Sequence, residues 1–153
     1  MAIDFDKINS IKTDLNDFQK EFNDFLNRKE EDIEYSIQKA METAAKDGES
    51  TITLYVLAKE DTTGVSNRAF CIHIGAGKVD FGTDATIFNN KEREKNFTWY
   101  VNRYAEWLEE RKLNIQVDSI GVINVNDLSC RITVKVWEVF LYTICQVKTR
   151  QNN

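Results

Sequence analysis

Proline is absent from this chain, and histidine occurs once, at His73. The first absence removes Pro-rich linkers and X-Pro isomerisation as a slow switch. The second leaves catalytic triads, multi-histidine metal sites and most neutral-pH acid–base designs with a single imidazole. There are three cysteines, Cys71, Cys130 and Cys145, and an odd number fits a reducing compartment better than a disulfide framework. Long apolar runs are also missing. The longest, Val139 to Cys145, is interrupted by Thr143 and falls far short of the roughly 18 residues a membrane span requires. The opening Met1-Ala2-Ile3-Asp4 has neither the basic stretch nor the apolar run of a secretory signal. The expected location is therefore the cytoplasm of a bacterial host cell, with no membrane contact.

What is present is an ordinary globular composition, 42% hydrophobic and 29% charged over 153 residues, which suits one structural domain with its own core. Asn and Ile occur 14 times each, a bias expected of AT-rich coding DNA such as that of a low-GC bacterium or its phage. The net charge of -5 is unevenly placed: residues 1–47 carry 12 acidic and 7 basic side chains, and residues 48–153 carry 13 of each. An acidic arm on a neutral body argues against direct nucleic-acid binding, which needs clustered Lys and Arg.

Residues 1–47 read as a helical arm. Ile8, Ile11, Leu15, Phe18, Phe22 and Phe25 recur at spacings of three and four, followed by Leu26, Ile33, Ile37, Ala40 and Ala44. Asp47-Gly48 supplies the terminator. A continuous helix over residues 4–46 would be about 60 Å long at 1.5 Å per residue, more than this chain could cover. The apolar-free stretch Asn27 to Asp32 offers the alternative of a helical hairpin, with Asn27 as a weak breaker.

The body, residues 48–153, begins with strand alternation. Ile52, Leu54, Val56 and Ala58 alternate with polar neighbours, and Phe70, Ile72 and Ile74 repeat the pattern across the polar stretch Lys59 to Asn67. Val79 to Phe88 offers a short third strand. After Asn89-Asn90, the residues Phe97, Val101, Tyr104 and Leu108 fall at helical spacing, with Tyr100 and Trp107 beside them. Ile115 to Val125 and Cys130 to Lys148 read as two further strands joined at Asn126-Asp127, the last apolar on both faces and so central. The expectation is an α+β fold: a long N-terminal helix or helical hairpin, then a mostly antiparallel sheet ordered as β-hairpin, helix, β-hairpin.

Few residues suggest chemistry. Cys71 and His73 share a strand face at i, i+2, the arrangement a thiol nucleophile and its base would need. Glu138, between Val136 and Phe140 on an apolar face, is a candidate acid whose burial would raise its pKa. Cys71, His73, Cys130 and Cys145 form a legal zinc set but lack the paired knuckles of such sites. Gly75-Ala76-Gly77-Lys78 resembles a phosphate loop, yet Ile72 and Val79 occupy positions where that motif needs Gly and Ser or Thr. No catalytic residue, metal or cofactor is therefore assigned.

Two features point to binding. Asp14, Asp17, Glu21 and Asp24 form a row of like charges beside the arm's apolar stripe, costly unless eased by solvent or met by something basic. Trp99 projects about 140° from the centre of its helix's apolar face, where it is either an exposed contact residue or covered by the arm. The functional expectation is a non-enzymatic interaction or assembly protein, a homo-oligomer or one docking a basic protein through the arm. As an inhibitor it would block a basic or nucleic-acid-binding host protein; otherwise it is a component of a complex. The alternative is a small-ligand binder or modest hydrolase with a pocket at Cys71, His73 and Glu138.

Overall fold

Asp4 opens the first helix by accepting the Lys7 backbone N–H at 3.1 Å, an N-cap that satisfies one of the orphan donors of the first turn. The computed structural model describes residues 2–60, 67–84, 88, 91–110 and 115–136, with side chains left undescribed at 11–18, 59–60, 67–69 and 83–84. From the cap, α1 runs over Phe5–Arg28 and α2 over Glu30–Lys46.

The two helices are separated by Lys29 alone, at φ -98 and ψ 10. That backbone lies in the bridge region next to the helical basin, and the hydrogen bonding continues through it: Lys29 N–H bonds Phe25 O and Ile33 N–H bonds Lys29 O, both at 2.9 Å. The arm is thus a helix broken at one residue inside the stretch Asn27 to Asp32, with no loop of the kind that reverses a helical hairpin. Glu30, Glu31 and Asp32 start α2, where acidic side chains suit the positive end of the helix dipole. Its end is a Schellman arrangement around Gly48 at φ 73: Glu49 N–H reaches Ala44 O at 2.8 Å and Gly48 N–H reaches Ala45 O at 3.2 Å.

Five strands follow, with one helix between the third and fourth: β1 Thr51–Glu60, β2 Asn67–Ile74, β3 Gly77–Asp84, α3 Arg93–Glu110, β4 Gln116–Ile120 and β5 Ser129–Lys135. They form one sheet in the order β3-β2-β1-β5-β4, every pair antiparallel. Since β3 and β4 lie at opposite edges, α3 carries the chain across the sheet, and β5 returns to an interior place beside β1. Of the strand expected over Cys130 to Lys148, the structure describes residues only as far as Val136.

Alternation sorts the sheet into two faces. Ile52, Leu54, Val56, Phe70, Ile72, Ile74, Val79, Ile132 and Val134 are buried on one, in a single cluster with residues of all three helices. Phe22 of α1 sits at its centre, with ring centroids 4.6 Å from Tyr100, 5.5 Å from Phe70 and 5.5 Å from Phe81. The second half of α1 and all of α2 therefore belong to the same core as the sheet. On the other face lie Tyr55, Leu57, Cys71, His73, Lys78, Asp80, Arg131 and Thr133.

Candidate functional site

Two side-chain contacts tie α1 to α3 in the same chain direction. Asn23 Oδ1 accepts from Arg103 Nε at 2.6 Å and Asn27 Oδ1 accepts from Trp107 Nε1 at 3.2 Å; the two contacts lie a turn apart with the same sequence offset of 80. Arg103 also forks onto Glu110 at 3.0 and 3.3 Å, and this hydrogen-bonded carboxylate raises the guanidinium pKa further.

Toward the N-terminal end of α1 the apolar stripe leaves the core. Ile3 is 67% exposed, Phe5 65% and Ile8 39%, whereas Phe22, Phe25 and Leu26 are buried. Of the acidic row, Glu21 and Asp24 are exposed on α1, while the Asp14 and Asp17 side chains lie outside the described residues. Trp99 is half-buried, its ring 5.9 Å from Phe22 and 5.2 Å from Tyr100, so α1 covers part of it.

The other candidates share less. Cys71 is fully buried although it sits on the sheet face away from the helices, paired across the ladders with Leu57 and Asp80. His73 is half-buried beside Tyr55, with ring centroids 6.1 Å apart. Cys130 is on the opposite, core face, where it donates to Gly121 O at 3.3 Å and burial pushes its thiol pKa up. Glu138 and Cys145 lie outside the described residues, which hold no group of three or more His, Cys, Asp or Glu able to bind a metal. Nor, among those residues, is any helix long and apolar enough to cross a membrane.

A feature not anticipated from sequence is a groove along α2. One part, of about 730 Å³, is lined by Tyr35, Lys39, Thr43, Ile52, Ile74 and the Gly75-Ala76-Gly77 turn among others. A second, of about 320 Å³, continues it between Lys29, Asp32, Tyr35 and Ser36 of α2 and Gly77 to Asp80 of β3. Neither is lined by Cys71 or His73. The glycine turn that resembled a phosphate loop is the two-residue connection of the β2–β3 hairpin, with Gly75 at φ 56, the position where a type II′ turn wants Gly. Gly77 meets a different constraint: a Cβ there would stand 2.5 Å from Ser36 Oγ, 3.1 Å from Ser36 Cβ and 3.2 Å from Ile74 O. The groove went unread because its walls come from segments about 40 residues apart in the chain, α2 and the β2–β3 turn, and no local spacing marks it.

Set against protein-family models, curated proteins and solved structures, the chain matches none.

Proposed function

We propose that this protein is a non-enzymatic interaction protein that docks a basic protein partner through the first half of α1. The observation carrying this reading is the exposure of Ile3, just before α1, and of Phe5 and Ile8 in its first turns, on a helix whose later stripe residues are buried. Apolar side chains lined along one helix end offer a partner surface to bury. About 20 Å further along α1, Glu21 and Asp24 are exposed and continue the row begun in sequence by Asp14 and Asp17, which adds electrostatic preference for a basic partner and speeds encounter. Such a protein would act as an inhibitor of a basic host protein or as a component of a complex. The full burial of Cys71 weighs against the hydrolase alternative, since a nucleophile must be reached by substrate.

The test is binding of the purified protein to a partner recovered from cell extract, followed by titration in increasing salt. Moderate salt, the pair Asp17→Lys with Glu21→Lys, and Ile8→Asp should each weaken the complex about tenfold or more. A complex indifferent to all three would remove the reading.

A further inference from the structure

The two edges of the sheet are unlike. β4 is five residues long and its pairing with β5 shifts register between Val117 and Ser119; shortness and a bulge are two of the backbone features that protect an edge against pairing with another chain. β3 is eight residues long and pairs with β2 without a register shift from Gly77 to Asp84. It has neither protection.

Its hydrogen-bonding pattern follows from the turn. A two-residue hairpin makes Ile74 and Gly77 a hydrogen-bonded pair, so Ile72 and Val79, then Phe70 and Phe81, are the next such pairs. The intervening residues Lys78, Asp80 and Gly82 direct their backbone N–H and C=O away from β2, to the open side. No other backbone bond to these three occurs among the described residues. Four consecutive residues, Gly77 to Asp80, line the groove facing α2, as they do only when a groove passes along a strand's edge and not over one face.

We infer that this edge is the interface between two copies of the chain, joined antiparallel through β3 about a two-fold axis at Val79. In that register Lys78 faces Asp80 of the second copy, and Asp80 faces its Lys78. Both are pairs in which each residue offers its N–H and C=O to the other, so four new backbone bonds form. Charge selects the arrangement: Lys78 and Asp80 already contact each other at 3.2 Å on the same face, and the dimer turns this pair into an alternating square of four charges. A register one step further, centred on Asp80, would set Asp80 against itself and is disfavoured. The axis also brings both α2 helices to one side of the joined sheet, where Tyr35, 65% exposed, lines the groove beside the strand. This interface is separate from the α1 end and does not depend on what that end binds.

The experiment is light-scattering mass against concentration for the full chain, with hydrogen exchange at the Lys78 and Asp80 amides. A dimer of twice 17.8 kDa is expected, with both amides exchanging more slowly as it forms. Lys78→Asp or Asp80→Lys alone should raise the dimer dissociation constant about tenfold or more, and the double exchange should restore it; an unchanged melting temperature of the monomer shows that folding is intact. A chain monomeric at every concentration, a dimer untouched by the single exchanges, or one dissolved by Ile8→Asp instead would each overturn the proposal.

Discussion

The Trp107 indole N–H, on a side chain only 1% exposed, is accepted by Asn27 Oδ1 at 3.2 Å. In sequence Asn27 marks a possible break between two helices; in the fold it is the last-turn residue of α1 that receives the largest buried side chain of α3. Asn27→Leu should therefore destabilise the protein by about 0.5–1.5 kcal/mol through loss of this acceptor, and Asn27→Asp, which keeps an oxygen there, should cost less. Urea unfolding of the pair separates an acceptor role from a breaker role, for which both substitutions would act alike.

Truncation distinguishes the two halves of α1. Removing residues 2–10, exposed throughout, should leave the melting temperature within a few degrees of the full chain. Starting the chain at Lys29 removes Phe22, Phe25 and Leu26 from the core. At about 3–5 kcal/mol per buried Phe, that loss is comparable to the whole stability of a domain, and circular dichroism should show an unfolded or aggregated product.

Tyr104 is fully buried and its hydroxyl has no hydrogen-bond partner among the described residues. Tyr104→Phe should be neutral or stabilising by up to about 1 kcal/mol, since the change removes a desolvated polar group and little volume.

Alkaline pH should destabilise the fold. Burial raises the pKa of Tyr104 and, against two weaker backbone hydrogen bonds, that of Cys130. The folded state therefore holds these protons after the unfolded chain has released them. Stability is full below the ordinary thiol and phenol values, about 8.5 and 10, and falls as pH rises from there toward the raised values. Stability against pH for Tyr104→Phe should decline less steeply above about pH 10, and parallel curves would contradict the assignment.

Gly77→Ala should cost about 1–3 kcal/mol, because its Cβ would meet Ser36 Oγ at 2.5 Å and Ile74 O at 3.2 Å. Ser36→Ala should relieve part of it; equal losses with and without that second change would show that the hydroxyl is not the obstacle, leaving the Ser36 Cβ at 3.1 Å and Ile74 O. Thermal melts of the single and double variants decide.

Most elements could be read from local pattern. The alternation around Leu54 and Ile72, the three-four spacing from Phe97 to Leu108 and the Gly48 terminator depend on periods of two and 3.6 residues and on one positive φ, all properties of neighbours in the chain. The tryptophan at position 99 had two readings because its angle on the helix is local while its cover, Phe22, is 77 positions away.

Along the first 47 residues, periodicity specified a helix, and composition specified its acidity. Neither could say that Phe22 would enter the core while Phe5 and Ile8 stayed outside, because that depends on what α1 meets in space: Phe22 packs on Phe70, Phe81 and Tyr100, all distant in sequence. In the same way, the residues of β3 announced a strand, but its place at an open edge followed from α3 carrying the chain to the far side of the sheet. Contacts between distant residues are chosen by the free energy of the whole core, and no window of sequence contains both partners.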